Sequence, residues 1–147
     1  MDDHRRRFCQ LAGVAIAGTW VSSVLPGCGA NGSSLMIVDT MMKTTDFAVG
    51  DAVLIQVPGF NAYVCHDVGG LYAMSANCTH ARCIIQFNDP ATGFQCNCHN
   101  STFDYNGQNQ TPPAPSPLQH YAVTVTMGEV FVDPNTPVPP ETRTPAT

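Results

Sequence analysis

A small, all-β, antiparallel domain is what this sequence predicts, and three observations predict it. Gly and Pro number 12 each in 147 residues, and only 12% of residues are charged, a composition suited to many turns and short strands. From Leu35 onward, β-branched and aromatic residues recur with a period of two between turn signals. No stretch carries the apolar spacing of an amphipathic helix, and no internal repeat is present. At this length one domain can bury its own core.

The strands are expected, in order, at Leu35–Val38, Ala52–Val57, Ala62–Asp67, Leu71–Ser75, Ile84–Phe87, Gly93–Cys96, Thr102–Asp104, His120–Thr126 and Glu129–Asp133. Hairpin turns fall at Val68-Gly69-Gly70, at Asn88 to Thr92 and at Met127-Gly128. The run Thr111-Pro112-Pro113-Ala114-Pro115-Ser116-Pro117 cannot be a central strand, because Pro donates no ladder hydrogen bond. It is expected to be a stiff loop walling the metal-binding ends described below. The domain is expected to span residues 35–133, and the Pro/Thr-rich residues 134–147 to be a disordered tail.

Residues 1–34 do not read as part of a fold. Arg5-Arg6-Arg7-Phe8 precedes a fifteen-residue apolar run from Leu11 to Leu25, shorter than the roughly 20 residues a spanning helix needs. Residues 1–28 are therefore read as an export signal. The Arg-Arg-x-Phe start resembles a twin-arginine signal, the route for proteins folded before export. An ordinary secretory signal, or an uncleaved one acting as an anchor, are the alternatives. Leu25-Pro26-Gly27-Cys28 resembles a bacterial lipobox with Cys28 as the lipidated residue, against the alternative of an incidental cysteine. Residues 29–34 have the composition of a flexible tether. The folded part is expected outside the cytoplasm, in the periplasm, held near a membrane by the lipid or the retained signal.

Beyond residue 28, Lys43, Arg82 and Arg143 face nine acidic residues, a net charge of about −6. That argues against a nucleic-acid partner, which calls for a basic face. It suits a cationic protein partner or serves solubility alone.

Seven cysteines invite pairing arithmetic. Cys9 lies in the signal and Cys28 at its end, and Cys65 falls in an expected strand as a buried free thiol. Cys78, Cys83, Cys96 and Cys98 remain, interleaved with His80 and His99. Four of these six could hold metal while two form a disulfide. A structural zinc site usually draws on C-x2-C knuckles. Here the order is C-x-H, a gap, then C-x2-H, with one spare Cys in each box.

This pattern resembles the Rieske iron-sulfur proteins, in which one iron of a [2Fe-2S] cluster takes two Cys and the other two His. The resemblance runs from about Ala62 to Val132 and includes Leu71 to Ala76 and the Pro-rich third loop. It implies a small antiparallel β-sandwich whose two cluster-binding loops form a subdomain. Carried over residue by residue, Cys78 and Cys96 resemble the thiolate ligands, and His80 and His99 the imidazole ligands near the surface. Cys83 and Cys98 match the disulfide of the respiratory branch, and Ser101 the hydroxyl that donates to a bridging sulfide. Imidazoles in place of thiolates make reduction easier, in a general range of about −150 to +300 mV.

Three departures from the family pattern stand out. Phe103 replaces a Tyr whose hydroxyl donates to a ligand sulfur, which implies a lowered potential. Asn100 replaces a Gly, and Asn tolerates positive φ. Ala81 and Arg82 replace the Leu-Gly pair that lines the docking surface of quinol-oxidising members. The function implied is exported one-electron transfer, with no substrate site of its own, either alone or as the iron-sulfur subunit of a respiratory oxidoreductase. The resembling families are the Rieske subunit of cytochrome bc complexes and the small subunit of arsenite oxidase, and the expected partner is a c-type cytochrome or a larger oxidoreductase subunit. The alternatives are a quinol-oxidising subunit of a cytochrome bc complex and, more remotely, a non-redox module stapled by zinc or disulfides. A catalytic oxygenase is not expected, since the sequence offers neither the second domain of such enzymes nor 2-His-1-carboxylate spacing.

Overall fold

The computed structural model describes residues 37–147. The signal-like segment, Cys28, the tether and the expected start of the first strand at Leu35 lie outside the described residues. Within them the chain forms nine strands and a single 3-10 turn, Thr44–Asp46. The strands are β1 Val38–Lys43, β2 Ala52–Val57, β3 Phe60–Asp67, β4 Gly70–Ser75, β5 Gln86–Asp89, β6 Gly93–Gln95, β7 Thr102–Phe103, β8 His120–Thr126 and β9 Glu129–Val138. All pairings are antiparallel. Six strands form one sheet in the order β1-β9-β8-β4-β3-β2, and β5-β6-β7 form a second, smaller sheet.

Strands β3 and β4 connect the two halves because both of their faces are buried. Alternation along a strand sends successive side chains to opposite sides. Ala62, Val64, Leu71 and Ala73 enter one core with Val38, Ile55, Phe60, Val130 and Val132. Tyr63, Cys65, Tyr72 and Met74 enter the other, with Ile85, Phe94, Phe103 and Leu118 from the smaller sheet and its loops. Cys78 and Cys96 belong to this second core. Each large apolar side chain so buried contributes about 1.5–3 kcal/mol, so the metal-binding loops are anchored by the core itself.

The expected strands at Ala52–Val57 and His120–Thr126 have the observed bounds. The first strand does not, running Val38–Lys43 instead of Leu35–Val38. Its inward positions are Val38 and Thr40, and the Thr40 hydroxyl donates to the Val130 carbonyl at 2.7 Å. That bond lets a polar residue occupy a buried site.

Residues 134–147 are not a disordered tail. Strand β9 continues to Val138 beside β8, and Leu71 pairs with Thr144 through two backbone hydrogen bonds of 2.8 Å. Arg143 binds the Asp67 carboxylate at 2.7 Å and Asn106 at 2.8 Å, and its guanidinium carbon lies 3.8 Å from the Tyr72 ring centroid. Gly70, at φ 129, allows this approach, since a Cβ there would collide with the Thr144 carbonyl. A Pro/Thr composition says nothing of such long-range partners.

Candidate metal centre

Two six-residue loops extend from the strand ends with the same backbone closure. In the first, the Cys78 N–H donates to the Cys83 carbonyl and the Arg82 N–H to the Cys78 carbonyl, at 2.8 and 2.9 Å. In the second, the Cys96 N–H donates to the Ser101 carbonyl and the Asn100 N–H to the Cys96 carbonyl, both at 2.8 Å. Arg82 and Asn100 each occupy the fifth position with positive φ, 62 and 61. The loop shape therefore survives without glycine at either place.

The closure separates the donor atoms by depth. Cys78 and Cys96 are free thiols at 0% and 1% exposure, whereas His80 and His99 are exposed. The two thiols belong to one buried cluster, and the imidazole rings stand edge to face with centroids 4.6 Å apart. Burial raises the Cys78 pKa and the neighbouring Cys96 adds to the rise, while the backbone N–H groups of His80 and Ala81 oppose it by donating to the sulfur. A pair of buried sulfurs with two imidazoles above them fits a cluster with one thiolate-held and one imidazole-held iron.

Cys83 and Cys98 form a disulfide between the loops. Both of its sulfurs lie within 4.8 Å of the Cys96 sulfur. That trio is not a metal site, since two of its members are spent on the bridge. The bridge instead fixes the spacing of the loops beside a buried thiol.

The Pro-rich segment is a third loop, tied to both others. The Thr79 hydroxyl donates to the Ser116 carbonyl at 2.8 Å, and the Thr111 hydroxyl to the Asn100 carbonyl at 3.3 Å. Ser101 is fully buried, and its Oγ accepts from the Ala114 N–H at 2.9 Å. With an acceptor site of Oγ engaged, its proton remains available for donation. Phe103 is fully buried in the same core as Cys78 and Cys96.

The Rieske [2Fe-2S] domain family matches residues 38–122. The chain belongs to that family. It carries a [2Fe-2S] cluster and is an electron-transfer protein. The chain is 30% identical over 120 residues to the cytochrome b6-f complex iron-sulfur subunit of Synechococcus elongatus, covering 74% of this chain and 67% of that protein. Among solved structures it is similar to the ferredoxin of carbazole 1,9a-dioxygenase from Nocardioides aromaticivorans IC177, with a TM-score of 0.53 and 25% identity over 67% of this chain and 98% of that one. It is also similar to the cyanobacterial plasma membrane Rieske protein PetC3 from Synechocystis PCC 6803, with a TM-score of 0.50 and 25% identity over 56% of this chain and 85% of that one.

The Rieske fold thus brings together all the residues singled out in the two boxes, and Cys65 is, as expected, a buried free thiol. Burial pushes its thiol well above the usual range. Sequence reasoning missed Thr79, Thr111 and Ala114 as the residues that clip the third loop in place. The spacing of Thr and Pro is a weak signal, since a hydroxyl finds such a partner only after folding.

Proposed function

We propose that this Rieske protein is an exported one-electron carrier in which Cys78 and Cys96 hold the buried iron and His80 and His99 the exposed one. The observation that carries the reading is the depth separation of those four side chains by two loops of identical closure. The cluster supplies the one-electron couple. The protein's residues supply its setting: buried sulfurs exclude water, N–H groups of His80 and Ala81 offset charge on the Cys78 sulfur, and Ser101 offers a hydroxyl proton at the cluster. His80 and His99 face the solvent, where a redox partner, a c-type cytochrome or a subunit of a larger oxidoreductase, can approach. Residues 1–28 would direct export and Cys28 lipidation would tether the domain to the membrane; among the described residues no helix is long and apolar enough to cross one.

Optical and electron paramagnetic resonance spectra of the purified protein test this. A coloured protein with a Rieske signal on reduction is expected, and loss of that signal in His80→Ala and His99→Ala. A colourless protein holding stoichiometric zinc would overturn the reading.

A second reading is the iron-sulfur subunit of a quinol-oxidising complex, favoured by the similarity to the cytochrome b6-f subunit. Ala81 and Arg82, both exposed, weigh against it by placing a small residue and a cation beside the imidazoles. Co-purification of a cytochrome b would decide for it.

A further inference from the structure

The end of the molecule that carries His80 and His99 is electrostatically unlike the rest. The loops Cys78–Cys83, Cys96–Ser101 and Thr111–Pro117 together contain one charged residue, Arg82. Between Val68 and Met127 the only other charges are Asp89 and Asp104. Asp89 sits in the β5–β6 turn, and Asp104 lies beside Gly93, its carboxylate accepting from the Gln108 N–H and the Gln110 amide ahead of the third loop. The other seven carboxylates belong to β1, β3, β9, the β1–β2 connection and the C-terminal segment. The three loops around the exposed imidazoles of this acidic protein thus carry Arg82 as their single charge.

Arg82 is exposed and forms no ion pair among the described residues. It holds φ 62, a conformation that Gly or Asn adopts at lower cost, and Asn100 closes the matching loop without any charge. The loop thus has no structural need of an arginine. Arg82 also lines an open cleft of about 570 Å3 with Asn77, Thr79 and Ser116 and, from the C-terminal segment, Val138 and Pro140. The Asn77 amide oxygen accepts from Asn61, which leaves its NH2 for a ligand.

We propose that Arg82 and this cleft dock a carboxylate-bearing surface segment of the redox partner and so orient that partner over His80 and His99. The partner's contact face is then acidic, although net charge alone suggests a basic one. The proposal rests on the assignment of His80 and His99 to the exposed iron.

The test uses the full chain, loaded with its cluster and reduced, and follows its one-electron oxidation by stopped flow. Ferricyanide is the anionic oxidant and tris(phenanthroline)cobalt(III) the cationic one. At an ionic strength of ~10 mM, where the screening length is about 30 Å, Arg82→Gln slows the ferricyanide reaction by roughly three- to tenfold, Arg82→Glu slows it further, and Arg82→Lys retains it. The cobalt reaction moves in the opposite direction, and high salt closes both gaps. Poly-L-glutamate slows oxidation of the wild type by the cobalt complex and leaves Arg82→Gln unaffected. Unchanged rates in Arg82→Gln and Arg82→Glu, or equal inhibition of wild type and Arg82→Gln by poly-L-glutamate, would overturn the proposal. A wild-type protein whose visible spectrum responds to neither oxidant would instead refute the reading beneath it.

Discussion

Arg82 and Asn100 hold the same left-handed backbone, φ 62 and φ 61, at the same position of two loops that close by the same pair of hydrogen bonds. The two loops are backbone copies of one another, although their histidines stand at different places, third in one and fourth in the other. A β-branched side chain fits this conformation poorly. Asn100→Val is expected to cost about 1–2 kcal/mol and Asn100→Gly to stay within about 0.5 kcal/mol of the parent, measured by denaturant unfolding of the loaded protein.

The buried ring of Phe103 sets a second expectation. Phe103→Tyr adds a hydroxyl in the core shared with Cys78 and Cys96. A donor to a ligand sulfur favours the reduced state by about 1 kcal/mol, a rise on the order of 50 mV for one electron. Ser101→Ala should move the midpoint the other way. Protein-film voltammetry reads both, and an unchanged midpoint in Phe103→Tyr would sink the idea that Phe103 holds the potential down.

The Cys83–Cys98 bridge closes a separation of 15 residues, for which chain entropy gives about 3 kcal/mol. Cys83→Ser with Cys98→Ser is expected to lose stability of that order. The variant should also lose its cluster faster on warming, followed by bleaching of the visible absorption, because the bridge is the cross-link that holds the two loop tips together.

His120 carries a pH dependence of known sign. Its Nε2 donates to the Asn106 carbonyl at 3.0 Å, its Nδ1 is buried without a partner, and its ring stacks on Tyr72. Burial lowers its pKa, opposed by the Asn106 carbonyl and by Glu141 and Asp104, with Arg143 adding to the lowering. The unfolded chain therefore takes up a proton near pH 6.5 that the folded one refuses. Stability should be full above about pH 6.5 and fall as pH drops below it, and His120→Phe should flatten that slope in thermal unfolding.

Arg143 gives the C-terminal segment an energetic role. It combines a partly buried ion pair to Asp67 with a cation–π contact to Tyr72. Arg143→Ala is expected to cost about 2 kcal/mol. It should also expose Cys65 to thiol reagents, since Tyr72, which is buried in the same core as Cys65, loses its cover. Alkylation rates followed by mass spectrometry check this.

The all-β class, most strand positions and the six residues of the two boxes were legible in the amino-acid order alone. Period-two alternation and turn chemistry are local, and metal donors are few enough in kind that their order is informative. Tertiary structure alone decided what depends on partners far along the chain. Leu71 pairs with Thr144 and Arg143 with Asp67, so a stretch that looked like tail is part of the sheet's cover. Thr79 and Ala114 find Ser116 and Ser101, which turns a proline-rich run into a clamp on both cluster loops. The acidic net charge was legible, but its absence from the histidine-bearing end was not. Composition sums charges over the chain, whereas a partner meets only those that the fold places beside His80 and His99.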